Sequence, residues 1–420
     1  MGFFDVLQGT LTRTPWRGMV VPALQLAILS LRFDRSHRWN SQRMLIAFGL
    51  RLSLRAFEGR DPVVFTSLLT PPELLHSLDA VPFGLEPAGA GAALLQVAAL
   101  TAAERAWAPP DGCTVLRSAL GVAHLGLLPK PSAVVCTSCL CDSTPKVSAA
   151  VARMEGVPFH LLDVPYEDSP EAVAYLADQM KRVAGELAEV FGRPFRPERM
   201  AEAIETSNRT RSHLLAINDL RRSHPGLLDS TFAQDFVYAL SLLLGSPEGA
   251  VLFQSYHREL EEAARSHPRA AGGPRLLWLH LLPYYRHGFL EVAERAGATI
   301  VFEELNRLFW DEMDPQRPWE SLARRCLGHP WNGPLERRLA GIRDLARRFR
   351  VGGAVHFSHH GCRHSWGAGR ALRDALAEVG IPFLELEGDL VDPRERAGGQ
   401  HATRLEAFIE TLDPGRRADR

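Results

Sequence analysis

The sequence predicts an α/β protein: two parallel-sheet units joined by a helical segment. Strand-length apolar runs alternate with helical spacings between residues 61 and 166, and again between 274 and 390. From about 167 to 273 the segments 173–191, 198–222 and 232–244 keep helical spacing and offer no convincing strand. Such alternation argues for parallel strands buried on both faces, because parallel neighbours need long crossovers and helices supply them.

In the first unit the strands are read at 61–66, 133–136 and 158–163, with helices beginning at Pro71-Pro72 and running over 147–155. A proline in the first turn costs a helix nothing, since its missing N–H would have had no partner there. In the second unit, strands at 275–279, 299–302, 354–357 and 382–386 alternate with helices at 289–296, 335–349, 367–379 and 403–412. Gly297 and Gly380 stand where helices must stop. The organisation expected is therefore a basic helical arm (1–60), a first α/β unit (61–166), a helical connector (167–273), and a second α/β unit with a C-terminal helix (274–420). No fixed-period repeat is visible.

Composition narrows the function classes. The chain has 420 residues, 46% hydrophobic and 23% charged, which excludes disorder. Lys+Arg at 48 against Asp+Glu at 49 leaves no global basic field, so nucleic-acid binding is not expected. Six cysteines are too few for a disulfide-stapled secreted domain. The 14 residues between Arg17 and Arg32 are uncharged, but too few to span a bilayer, which needs about 20. No convincing cleavage site follows, so a cytoplasmic protein is expected. Residues 1–60 carry nine Arg against Asp5, Asp34 and Glu58. A solvated arm packed on the body is the first reading of that excess; an acidic protein partner or an anionic lipid surface is the lesser one, and membrane association is not expected.

Three cysteines fall in Cys136-Thr137-Ser138-Cys139-Leu140-Cys141, just after a predicted strand, and Cys362 follows another. Ligands of parallel sheets collect at C-terminal strand ends. Thiolates meeting there suit an iron–sulfur cluster or zinc. His359, His360 and His364 around Cys362 keep zinc open, although no matched second ligand pair accompanies them. Cys113 and Cys326, taken singly, read as small buried hydrophobes. There is no Gly-x-Gly-x-x-Gly after a strand, no Walker-type Gly-Lys-Ser/Thr and no Gly-x-Ser-x-Gly, so nucleotide hydrolysis would fall to another protein.

Several segments resemble one family: Thr70-Pro71-Pro72-Glu73-Leu74, Cys113-Thr114-Val115-Leu116-Arg117-Ser118, Cys141-Asp142, Gly361-Cys362-Arg363-His364-Ser365, the run from Gly380 to Asp389, and Thr403-Arg404-Leu405-Glu406-Ala407-Phe408. Together, over about 62–412, they look like the 2-hydroxyacyl-CoA dehydratase and benzoyl-CoA reductase superfamily. The resemblance implies two Rossmann-like units with an oxygen-sensitive [4Fe–4S] cluster in the cleft between them, bound by Cys113, Cys141 and Cys362, with Cys139 close enough to Cys141 to compete for that role. It also implies an anaerobic, radical lyase. An ATP-hydrolysing iron–sulfur activator delivers one low-potential electron, an acyl-CoA thioester becomes a ketyl radical, and the 2-hydroxyl group leaves. A homodimer or a related second subunit is implied as partner.

Cys136, Cys139 and Cys326 go beyond the three-cysteine pattern. They keep open a sister branch that holds an [8Fe–9S] double cubane on six cysteines and reduces small molecules. A non-enzymatic, cluster-bearing electron carrier is the third reading. Arg117 and Arg363 are candidates for a CoA phosphate or thioester oxygen. Asp142 is expected to cap a helix, His160 and His280 to be satisfied core residues in strands, and Trp310, Trp319, Trp331 and Trp366 to be core or pocket lining.

Overall fold

The apolar runs read as strands are strands in the computed structural model, which describes residues 17–31, 39–94, 98–106, 108–139, 141–227, 230–266, 273–285, 287–392 and 399–412. The chain divides into two units. The first comprises Met1–Arg211, Tyr238–Tyr256 and Asp311–Gly328; the second comprises Ser212–Val237, His257–Trp310 and His329–Arg420. Among the described residues, each unit has one four-stranded sheet, and every pairing in both sheets is parallel.

In the first unit the strands are β1 (Val63–Thr66), β2 (Val81–Gly84), β3 (Ala133–Thr137) and β4 (Phe159–Leu162), in spatial order β2-β1-β3-β4. Every residue of β1 and β3 is buried, as central strands of a sheet covered on both faces must be. Their alternation divides two hydrophobic layers. Val64, Ala133 and Val135 face a core built with Leu176, Met180, Val183 and Leu187 of the helix Pro170–Phe191 and Leu322 and Leu327 of the helix Pro318–Leu327. Val63, Phe65 and Val134 face Leu52 and Ala56 of the helix Asn40–Glu58, together with Ala119 and Val151.

Strand β2 is not legible in the sequence. Pro82 removes a backbone donor and so weakens any strand signal, yet β2 is an edge strand and pairs on one side only, Val64 opposite Pro82. The helices Leu85–Leu94, Ala99–Arg105 and Thr114–His124 are equally hard to read, because alanine and glycine carry little periodic signal. Their glycines are there for close approach: a Cβ on Gly121 would lie 1.8 Å from the Ala99 carbonyl oxygen, and one on Gly89 2.2 Å from that of Val115.

In the second unit β5 (Arg275–Leu279), β6 (Thr299–Glu303), β7 (Gly353–His359) and β8 (Phe383–Gly388) take the order β6-β5-β7-β8, the same topology as the first sheet. All seven residues of β7 are buried. Leu277, Phe302, Ala354, Ile342, Phe349, Leu372 and Leu376 form the core, and each of the large side chains among them contributes roughly 1.5–3 kcal/mol on burial. Gly297 and Gly380 have φ of 76° and 73° at helix ends, as the sequence predicted. Among the described residues no helix is long and apolar enough to cross a membrane.

Candidate active-site residues at the strand ends

Polar side chains gather beyond the C-terminal ends of the strands in each unit, where parallel sheets present their ligand sites. In the first unit β1 runs into Ser67 and Thr70, whose hydroxyls lie 2.8 Å apart. Thr70 Oγ1 donates to the Val135 carbonyl at 3.3 Å, and the Thr137 amide donates to Ser67 Oγ at 3.3 Å. These bonds tie the ends of β1 and β3 together. Beyond β2, Glu86 lies in the first turn of the helix Leu85–Leu94 and is buried, and neither carboxylate oxygen meets a well-placed donor. Burial pushes its pKa up to about 7, against only weak help from the Glu86 and Leu68 amides. A carboxyl in that state can give or take a proton near neutrality.

The cysteines divide by environment. Cys113 occupies the N-cap position of the helix Thr114–His124, Cys362 that of the short helix Arg363–Trp366, and Cys141 directly precedes Asp142, the N-cap residue of the helix Ser143–Glu155. All three are half-buried. Each therefore lies beside the first turn of a helix. Cys141 Sγ lies 3.2 Å from Thr144 Oγ1 in the first turn that follows.

Cys136, Cys139 and Cys326 are buried. Cys136 lies within β3, and burial pushes its thiol up to about 12 despite help from Ser148 and Ser67. Cys139 and Cys326 pack in the core between sheet and helices. Cys326 is in the last turn of its helix, the end that disfavours an anion, and burial pushes its thiol up to about 11. Its neighbour Arg325 forms a buried ion pair with Glu73, whose carboxylate also accepts from Ser207 Oγ at 2.6 Å. Burial works to raise Glu73, but Arg325 and Ser207 outweigh it and hold the carboxyl below its ordinary range.

Arg117 is also buried: its guanidinium donates to the Pro110 carbonyl at 2.8 Å and to Glu104 at 3.2 Å, bracing the loop that leads to Cys113. Arg363 opens the helix after Cys362 and is exposed. Asp142 takes the capping position but makes no side-chain capping bond.

In the second unit His280 lies one residue beyond β5 rather than in a strand, at φ 68°. It is buried, and its Nδ1 has no hydrogen-bond partner. Its ring stacks on Trp331 at 5.6 Å and faces His359 at 6.4 Å. Burial, then His359, His356 and Arg338, drives it well below the usual histidine range, so it is a neutral imidazole. Glu304 organises this side of the unit, accepting from Arg338 at 2.6 and 2.9 Å, from Trp331 Nε1 at 2.9 Å and from the His280 amide at 3.2 Å. Arg338 also donates to the His364 carbonyl at 2.6 Å, two residues beyond Cys362. His160 does lie in a strand, with its Nδ1 2.9 Å from Glu186. Trp319 packs against the core of the first unit, and Trp366 is exposed.

Among the described residues no three His, Cys, Asp or Glu side chains are gathered at metal-binding geometry. The close-spaced Cys136, Cys139 and Cys141 therefore make no ligand set alone, and neither do the histidines around Cys362. Cys113 and Cys141 of the first unit and Cys362 of the second are half-buried thiols, the donor type that an iron–sulfur cluster takes. Sequence reasoning missed Glu86, the Ser67–Thr70 pair and the Glu304–Arg338 pair, although it singled out Trp331 as core or pocket lining. Only the strand-end position of Glu86 offered a signal, and it depended on recognising β2.

Comparison with known proteins gives one consistent answer. The family model described as 2-hydroxyglutaryl-CoA dehydratase, D-component matches residues 67–412. The alpha subunit of lactoyl-CoA dehydratase from Anaerotignum propionicum is 22% identical over 298 residues, covering 68% of this chain and 70% of that protein. The alpha subunit of (R)-2-hydroxyglutaryl-CoA dehydratase from Acidaminococcus fermentans is 21% identical over 68% of this chain and 61% of its own length. A benzoyl-CoA reductase subunit from Thauera aromatica is 22% identical over 75% of this chain and 79% of its own.

Proposed function

Because the chain belongs to the 2-hydroxyglutaryl-CoA dehydratase D-component family, a family of enzyme subunits, we propose that it takes part in electron-activated dehydration of a 2-hydroxyacyl-CoA thioester, with Cys113, Cys141 and Cys362 holding a [4Fe–4S] cluster. The observation that carries this reading is the division of the six cysteines. Cys113, Cys141 and Cys362 are half-buried at helix N-termini, while Cys136, Cys139 and Cys326 are buried within a strand and the core. Such a cluster, bound by three thiolates, supplies one-electron chemistry and an iron site open to a ligand.

Around that site the chain's own residues have definable work. Ser67, Thr70 and Thr137 fix the ends of β1 and β3 from which the Cys141 loop departs. Glu86, held near neutrality by burial, can exchange a proton at its carboxyl oxygens. Arg117 fixes the Cys113 loop through Pro110. Arg363, exposed beside Cys362, offers a cation to an anionic part of a CoA ester.

The family resemblance implies a separate ATP-dependent iron–sulfur activator as the electron source, in keeping with the lack of a familiar nucleotide-binding loop motif in the sequence. The relatives are named as subunits of their enzymes, two of them as alpha subunits, which supports a second subunit as partner. The protein works in the cytoplasm of an anaerobic cell, where an oxygen-sensitive cluster persists.

Anaerobic iron and sulfide analysis tests the reading. About four irons per chain, lost on Cys141→Ser or Cys362→Ser and kept on Cys326→Ala, support a single cubane. About eight, halved on Cys326→Ala, would favour the double-cubane reductase. A cluster that never responds to an acyl-CoA would favour an electron carrier.

A further inference from the structure

The first 60 residues lie outside the family match and outside both groups of strand-end residues. They carry nine arginines against Asp5, Asp34 and Glu58, a local excess of positive charge in a chain whose net charge is −1. Within them, the helix Arg17–Ser30 has no charged residue after Arg17 and packs against the helix Asn40–Glu58. That packing does not use up its apolar surface. Met19, Leu26 and Leu29 remain 47%, 66% and 47% exposed, and their spacing puts them on one side of an α-helix. Arg51, Arg55 and Arg60 are exposed on and just after the second helix. Arg55 is paired with Asp61 at 3.0 Å, an exposed pair that salt or a competing anion opens readily.

An uncovered stripe of large apolar side chains in an arginine-rich segment marks an interaction surface. Two features favour a lipid surface over a protein groove. The apolar run is bracketed in sequence by Trp16-Arg17 and Arg32-Phe33, aromatic and arginine residues of the kind that settle at headgroup level. The arginine excess of the segment complements anionic headgroups. The run is too short to span a bilayer, so its helix would lie along one.

We propose that the helices Arg17–Ser30 and Asn40–Glu58 dock this protein on a membrane surface of anionic lipid, with Met19, Leu26 and Leu29 entering the interface and the arginines resting on headgroups. Neither signal suffices alone: a single short apolar stripe binds marginally, and a few arginines weakly, but together they anchor.

Co-sedimentation of the full-length protein tests this, using vesicles of phosphatidylcholine alone or with about 25% phosphatidylglycerol. The wild-type protein should sediment with the anionic vesicles and not the neutral ones. Binding should fall roughly tenfold in the Leu26→Glu/Leu29→Glu variant, with circular dichroism unchanged, and similarly in Arg51→Gln/Arg60→Gln or at high salt. Equal sedimentation with both vesicles, or with neither, would overturn the proposal. So would sedimentation velocity showing an oligomer that Leu26→Glu/Leu29→Glu converts to monomer without any vesicle binding, since the stripe would then be a contact between copies of this chain.

Discussion

Ser365 Oγ lies 3.1 Å from His356 Nε2, and this contact binds the short helix after Cys362 back onto the middle of β7. The same hydroxyl accepts from the His359 amide and donates to the Phe357 carbonyl, each at 3.2 Å. One fully buried side chain thus sets where the Cys362 loop leaves the strand. Its removal takes a partner from three polar groups at once.

Ser365→Ala should therefore destabilise the protein by about 1–3 kcal/mol, measured as a lower urea midpoint. It should also reduce iron retention in anaerobic preparations, because the Cys362 loop loses its tether. Normal iron content in the alanine variant would mean that the backbone bonds from Cys362 to His359 and from Trp366 to Cys362 hold the loop unaided.

The Glu304–Arg338 pair offers a second test. Burial alone would raise the Glu304 carboxyl, but Arg338 and Trp331 outweigh it and keep it below the ordinary range. Arg338→Met leaves a carboxylate buried without its partner, which should cost about 3–5 kcal/mol at neutral pH. A lowered carboxyl contributes stability above its unfolded pKa and loses it as pH falls. The gap between wild type and variant should accordingly narrow toward acid, and a gap that widens there would contradict the assignment.

Thiol reactivity should separate the two sets of cysteines. In metal-free protein under native conditions, iodoacetamide at mildly alkaline pH should label Cys113, Cys141 and Cys362. Cys136 and Cys326, whose thiols burial pushes up to about 12 and about 11, should stay unlabelled until the protein is denatured. Mass spectrometry of the labelled peptides reads the result directly. Early labelling of Cys326 would remove the main physical argument against a six-cysteine site.

The fold was legible where burial imposes a pattern. Runs such as 133–136 and 276–279 are uninterrupted apolar segments because both faces of their sheets are covered. It was illegible where the signal is a contact rather than a period. Pro82 hid an edge strand, and the close approach at Gly89 and Gly121 is visible only once the helices are side by side. The site divides in the same way. Cysteines are rare and thiol-specific, so their clustering near strand ends could be read. Glu86, Glu304 and Arg338 are common residue types whose meaning comes from burial, and burial of a charged group has no sequence signature. Segment 311–328 illustrates the limit: it precedes the last strands of the second sheet in sequence, yet it packs in the core of the first unit and takes Cys326 with it.

Glu86 gives the prediction with the clearest sign. Its carboxyl, ordinarily near 4.5, is pushed up to about 7 by burial in the folded protein. Between those values the folded state keeps a proton that the unfolded chain releases, so stability must fall as pH rises through this window and level off above it. The full effect is about 3 kcal/mol, an upper figure for a buried group whose surroundings relax. The nearby titratable group is the Cys136 thiol from β3, which stays protonated throughout this range and adds no slope. Glu86→Gln, with nothing to titrate, should lack this slope, and its advantage over wild type should grow from pH 5 to pH 7 and then hold constant. Urea midpoints of the two proteins across this range decide the matter. Parallel profiles would mean that water or backbone donors satisfy the carboxylate, and Glu86 would then be ionised at neutral pH and unable to serve as a proton donor.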